Sequence, residues 1–231
     1  QQNTEAVIWG TSDAGAQIAV TPSWNGKTYR CNADSEGRWS VKVETPAGSY
    51  KAYNIAVKGG GESLKINDVL VGEVWLAGGQ SNMEYRMDRP KGYVLQKRGE
   101  DVQMQEYLEG GDERIRLLYV EKKRNVDTLP SKGWRVLDKV SLGDMSAPAY
   151  FFAKRLYETL GVPVGIIHVA WGGSSIEAWM NPDLLRRDFG DEISLEHIDK
   201  RYWPRKNHHL VPGALYNGML HTLVPFTAKG F

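Results

Sequence analysis

Ser81 stands in GGQSNM (residues 78–83), where a nearly continuous apolar run, VLVGEVWLAG (69–78), comes to its end. A serine hydroxyl attacks a carbonyl only when a base takes its proton and donors stabilise the tetrahedral oxyanion. Just beyond a buried strand and at the start of a helix, Ser81 meets the second need in part. Its backbone N–H and the helix dipole both favour developing negative charge there. The same residues also fit an ordinary serine N-cap behind a loop glycine pair. The G-x-S-x-G elbow of α/β-hydrolases is half matched, because residue 83 is methionine.

HVAWGGSSIEAWM (168–180) repeats the arrangement of strand end, paired glycines and helix. The carboxyl ends of parallel strands share one sheet edge, so Gly172 and Gly173 are expected near Ser81, and a glycine N–H is an unobstructed oxyanion donor. The competing reading is a turn that needs positive φ. Ser174 and Ser175 read as helix caps. His168 sits inside an apolar strand and reads as interior, His208 and His209 as surface or pocket rim after a proline loop, and His221 as helical. No pair of groups has the H-E-x-x-H spacing of a metal site, and no cofactor is expected. Cys31 is the single cysteine, which excludes an intrachain disulfide and a cysteine-based zinc site.

Two kinds of chain grammar must position these residues. Through residue 59, AVIWG (6–10), AQIAVTPSW (16–24), KTYRCNA (27–33), RWSVKVETP (38–46) and YKAYNIAVKG (50–59) are short runs with period-2 alternation. Turn clusters such as WNGK and DSEGR separate them, with Gly26 and Gly37 free to take positive φ. Strands so spaced, with no helix between, predict a small β-sandwich-like module. From Val69 onward the strands are buried: 69–78, RIRLLYVEK (114–122) and VPVGIIHVAW (162–171). SAPAYFFAKRLYETLG (146–161) is the clearest helix, with Ser146 as N-cap, Gly161 as terminator, and Ala149, Phe152, Ala153, Leu156 and Leu160 on one face. A further helix is expected within IEAWMNPDLLRRD. Alternating buried strands and helices predict a parallel α/β sheet. The division is placed at 1–68 and 69–231. The polar segment 88–113 reads as a lid or rim loop, or as plain surface.

Composition narrows the partners. The 231 residues carry 29 Lys and Arg against 28 Asp and Glu, so neither nucleic acid nor an anionic membrane is expected as the main partner. The basic stretch 199–209 reads as a solvated loop. No apolar run approaches the ~20 residues of a membrane span, and QQNTEA is not a signal peptide. Eight tryptophans and eleven tyrosines are the kind of aromatic supply that sugar-binding surfaces also use.

VLVGEVWLAGGQSNME and GIIHVAWGGSSIEAWM resemble the sialate O-acetylesterase-like branch of the SGNH/GDSL hydrolases, related to carbohydrate esterase family 6. The resemblance continues through GRWSVKV (37–43) and ALYNGMLHTLVPFTAKGF (214–231). It implies a three-layer α/β/α hydrolase domain after a β-rich module, secreted or periplasmic, acting without metal on acetylated carbohydrate as a serine esterase. It also implies Ser81 as nucleophile, with the N–H groups of Ser81 and Gly173, or Gly172, as the oxyanion hole. Gln80, Asn82, Tyr85, Glu177 and Trp179 are candidates for shaping the substrate pocket.

That branch supplies its base from an Asp-x-x-His motif. Three residues before His168, His197, His208, His209 and His221 stand Gly165, Ser194, Arg205, Lys206 and Gly218, so none fits. LVPFTAKGF reads as the start of a strand. The expectation is a chain incomplete at its C-terminal end, with the base His and its Asp on a separate C-terminal chain or fragment. The alternatives are an inactive remnant and a non-catalytic carbohydrate-binding or scaffold protein.

Overall fold

The computed structural model describes residues 1–88, 110–123, 126–192 and 208–231. Most of the expected 88–113 loop, most of the basic stretch 199–209, and His197 lie outside the described residues. The chain divides into two compact units. One comprises Gln1–Trp75, Leu156–Val164 and Pro225–Gly230, the other Leu76–Arg155, Gly165–Val224 and Phe231.

The first unit holds β1 (Glu5–Thr11), β2 (Gln17–Pro22), β3 (Tyr29–Asn32), β4 (Arg38–Glu44), β5 (Ser49–Gly59) and β6 (Glu62–Val71). β1 pairs with β4, and a second sheet runs β3-β2-β5-β6, with antiparallel neighbours throughout. Alternation does what the sequence asks of it. On β4, Trp39, Val41 and Val43 turn inward while Arg38, Ser40, Lys42 and Glu44 are exposed. Ile18, Val20, Val43 and Ile55 form the core, with Trp24, Trp39 and Val57 packed against it. Each such aliphatic side chain contributes about 1.5–3 kcal/mol on full burial. β6 is an addition to the sequence-based expectation. Its residues Glu62–Asp68 are exposed on both faces, so no period marks them.

The run 69–78 is not one strand. β6 ends at Val71 and β7 (Glu73–Gly79) starts afresh after Gly72. A Cβ on Gly72 would stand 2.0 Å from the Pro163 carbonyl oxygen, so the two backbones approach as only glycine permits. The tail packs into the same unit: the Val7 N–H donates to Thr227 Oγ1 at 2.9 Å and Phe226 sets its ring edge-on to Trp9. The expected strand in LVPFTAKGF is reduced to a single parallel bridge, Gly230 beside Trp75.

The sheet that carries the glycine pairs has the order β7-β10-β8-β9, with β8 at Asp112–Tyr119, β9 at Trp134–Leu137 and β10 at Val164–Ala170. β10 is buried at nearly every position, which explains its lack of alternation. β7 and β10 run parallel: Glu73 N–H donates to Pro163 O near their starts and Trp171 N–H to Gly79 O at their ends, both at 3.0 Å. β9 is antiparallel to β8, so the sheet is mixed rather than wholly parallel.

Three α-helices are described: α1 (Lys139–Asp144), α2 (Ala147–Leu160) and α3 (Pro182–Phe189). Ser146 caps α2, its Oγ accepting the Ala149 N–H at 3.3 Å. Its buried stripe differs from the expected one. Ala149, Tyr150, Ala153 and Tyr157 are buried, whereas Phe152 is 43% and Leu160 49% exposed. The two tyrosines, large but amphipathic, define the packed face, and the small alanines between them let it approach its neighbours. The α1–α2 junction holds the chain that follows Ser81. Ala147 N–H bonds Tyr85 O at 2.7 Å, Met87 N–H bonds Met145 O at 3.0 Å, and Arg86 pairs with Asp144 at 2.7 Å. Among the described residues no helix is long and apolar enough to cross a membrane.

His168 on β10 is interior as expected, 2% exposed and edge-on to Tyr119 with ring centroids 5.4 Å apart. Burial pushes its pKa down to about 4, against the pull of the Glu84 carboxylate and the Met83 backbone, while Lys122 and Arg86 add to the depression. The unfolded chain therefore binds a proton below pH ~6.5 that the folded chain refuses until about 4, and stability is lost as pH falls through this window. Between pH ~7 and ~5 the loss attributable to His168 is about 2 kcal/mol. His168→Phe is expected to narrow the gap between the unfolding free energies from urea titrations at those two pH values by that amount. An unchanged gap would place the acid sensitivity elsewhere.

Candidate active site

The edge where β7 and β10 end brings both glycine pairs together. After Gly79 the chain makes one turn, closed by Glu84 N–H donating to Gln80 O at 2.8 Å. No regular helix follows among residues 80–88, which corrects the expected helix start and removes the helix dipole from the argument. Ser81 is accordingly not a helix N-cap. A negative charge placed here would meet individual N–H groups rather than a helix end.

The bond from Trp171 N–H to Gly79 O lays Trp171-Gly172-Gly173 alongside Gln80-Ser81. A Cβ on Gly172 would stand 3.5 Å from Ser81 Cα, which measures how closely the two turns pack. Gly172 N–H donates to the Glu84 carboxylate, and Glu84 also pairs with Lys122 from just past β8. Gly173, at φ +76°, points its N–H to the side-chain oxygen of Gln80 at 3.2 Å. That oxygen also accepts from the Ser81 N–H at 3.3 Å and from Ser81 Oγ at 3.2 Å. Three donors thus converge on one point: the serine hydroxyl and two backbone N–H groups. Gly173 has the positive φ of a turn glycine, and its N–H points to the same Gln80 oxygen as the Ser81 N–H.

Around this point stands an aromatic and cationic rim. Lys122 Nζ lies 5.2 Å from the Trp171 ring centroid, and His209 stacks on Trp171 at 6.0 Å and 19°. A Cβ on Gly173 would lie 3.6 Å from His209 Nε2, so this histidine borders the glycine turn. Ser174 and Ser175 do not cap a helix. Ser174 Oγ accepts the Trp179 indole N–H at 2.9 Å, and Ser175 N–H holds the His209 carbonyl at 3.1 Å. The short 3₁₀ turn Glu177–Trp179 that follows has no side-chain cap, and its Glu177 carbonyl accepts the Gly213 N–H at 2.8 Å. The helix expected here begins later, at Pro182, capped by Asn181.

Gln80, Ser81 and Asn82 are exposed, while Tyr85, Glu177 and Trp179 are half-buried. Among the described residues the hydrogen bond of Ser81 Oγ is to Gln80, and no histidine bonds to it. His221 Nδ1 lies 3.3 Å from the Tyr216 carbonyl. Among the described residues no three His, Cys, Asp or Glu cluster as a metal site. Sequence reasoning missed Glu84 and Lys122. Glu84 carried one signal, the S-x-x-E spacing from Ser81, which normally marks a capping box. Here its carboxylate reaches across to another loop instead.

The family description "carbohydrate esterase, sialic acid-specific acetylesterase" matches residues 71–197. Sialate O-acetylesterases from Pongo abelii and Homo sapiens are each 28% identical over 242 residues, covering 97% of this chain and 44% of theirs. A carbohydrate acetylesterase from Xanthomonas citri has a crystal structure similar to all of this chain and 46% of its own, with TM-score 0.77 and 33% identity. The chain therefore spans less than half the length of these relatives. With GGQSNM and WGGSS juxtaposed at one sheet edge, the chain belongs to the sialic acid-specific acetylesterase family of carbohydrate esterases.

Proposed function

We propose that this chain carries the nucleophile and oxyanion hole of a serine esterase that removes O-acetyl groups from carbohydrate, sialate among the substrate candidates. The observation that carries the reading is the convergence of Ser81 Oγ, Ser81 N–H and Gly173 N–H on one oxygen position. Ser81 Oγ adds to the acetyl carbonyl carbon as its proton passes to a histidine base. The two N–H groups hold the oxyanion. Collapse breaks the bond to the sugar oxygen, which takes the proton from the imidazolium, and water then releases acetate from the acetyl-serine. Gly172, with its N–H on Glu84, positions the turn rather than the oxyanion. Asn82, Tyr85, Glu177 and Trp179 shape the approach of the sugar.

The base and its aspartate come from a segment other than residues 1–231. Two points support this: no histidine here has an aspartate three residues before it, and no described histidine bonds to Ser81 Oγ. Residues 69–231 are read as part of a three-layer α/β/α domain and 1–68 as its accessory β module. The test is acid-quenched turnover of the intact protein on O-acetylated sialic acid and acetylated xylan, followed by peptide mass spectrometry. Acetyl-Ser81 is expected during turnover. Acetate release with no acetyl-Ser81 would assign the chemistry to another group.

A further inference from the structure

Gln80 stands next to the proposed nucleophile, and its side chain does something a neighbouring surface residue has no need to do. Its Oε1 receives Ser81 N–H at 3.3 Å, Gly173 N–H at 3.2 Å and Ser81 Oγ at 3.2 Å. The orientation of the amide follows from its partners. The two N–H groups can only donate, so the atom they face is the carbonyl oxygen. A primary carboxamide also has the size and shape of an acetyl group, with a planar carbonyl carbon, one oxygen and one small terminal group. Resting on the reading of Ser81 and Gly173 as the catalytic pair, we propose that the Gln80 side chain is an internal stand-in for the acetyl group. It fills the oxyanion hole when no ester is bound, and an incoming acetyl carbonyl must displace it.

The lengths of the bonds support a displaceable occupant. Oxyanion donors work at 2.7–3.1 Å from a charged oxygen, and both N–H contacts to Gln80 are longer than that. A neutral amide oxygen holds the two N–H groups aligned without binding them as tightly as an oxyanion would. Gln80 is exposed, so its side chain has solvent to swing into. Gln80 is in this sense a positioning residue. It keeps the Ser81 and Gly173 donors aimed at one point and presents to any ligand the cost of its own removal.

The test is the rate at which an alkyl fluorophosphonate modifies Ser81 in the intact protein at neutral pH. In that reaction the Oγ–P bond forms, the P–F bond breaks with loss of fluoride, and the serine proton passes to the base. Gln80→Ala and Gln80→Met, which remove the competing acceptor, are each expected to speed modification about three- to tenfold. Gln80→Glu places a charged acceptor on the same donors and is expected to slow it about tenfold or more. Opposite signs from the two kinds of variant separate this role from a merely structural one, in which every substitution slows the reaction. Labelling of Ser81 that is slowed or unchanged by Gln80→Ala and Gln80→Met would overturn the stand-in and leave the nucleophile standing. Absence of labelling at Ser81 in the unsubstituted protein would overturn both.

Discussion

Ser81→Ala in the intact protein is expected to lower kcat for acetate release by about 10⁴-fold or more, with KM within about threefold of the unsubstituted value. On the proposed reading, the substitution removes the atom that bonds the acetyl group and leaves the N–H groups of Ser81 and Gly173 in place. What remains is oxyanion stabilisation and binding, which in serine hydrolases accounts for about 10³–10⁴-fold over water. KM holds because the hydroxyl is used in bond formation rather than in gripping the sugar. Folding is expected to hold as well. Ser81 is exposed and its hydroxyl bonds to Gln80 alone among the described residues. Exposed substitutions of this kind stay within about 0.5 kcal/mol. The measurement is steady-state acetate release alongside a thermal melt. Full activity with an unchanged melt would remove Ser81 from the chemistry.

The place of Ser81 at a sheet edge was legible in the sequence for a physical reason. An apolar strand that ends in two glycines and a serine leaves few places for that serine except a sheet edge, and a second such unit, WGGSS, must share the edge if the strands are parallel. The strands of the first unit were legible for a similar reason. One buried face imposes period 2, as on β4. Where burial imposes no period, legibility failed. β6 is exposed on both faces over Glu62–Asp68, and the four-residue β9 carries its Trp134 and Val136 outward at 40% and 36% exposure. The break at Gly72 was hidden because its cause, the Pro163 carbonyl, lies 91 residues away in sequence. The stripe expected on α2 runs through Phe152 and Leu160, whereas the packed face carries Tyr150 and Tyr157, whose rings are buried like any core residue. At the site, Gln80 and Glu84 read as polar neighbours of a serine. Their roles depend on Gly172, Gly173 and Lys122, which only the fold brings within reach.

Glu84 is where that dependence has the largest consequence, and Glu84→Ala is expected to lower kcat by about 10²-fold while costing only about 1 kcal/mol of stability. Glu84 sits one turn after Ser81, and its carboxylate takes the N–H of Gly172 with one oxygen and Lys122 with the other. It thereby ties the WGG turn to the Ser81 turn, and with it the distance between Ser81 N–H and Gly173 N–H. The stability effect is modest because the Glu84 and Lys122 side chains remain 30% and 32% exposed, so solvent replaces much of what the pair loses. Rate is more sensitive. A displacement of about 1 Å in one oxyanion donor is enough for a 10²-fold loss. The loss should appear in kcat rather than KM, since donors aimed at a developing charge act in the transition state. Glu84→Gln keeps an acceptor for the Gly172 N–H and gives up the charge, so about a tenfold loss is expected. Lys122→Met leaves the bond to Gly172 intact and should cost less again, and combined with Glu84→Gln it should add little, because both act through one carboxylate. Kinetics of the four proteins, with melts as control, decide the matter. A Glu84→Ala protein with lowered thermal stability and an unchanged kcat would reduce Glu84 to a structural tie and leave the oxyanion geometry to the backbone bond between Trp171 and Gly79.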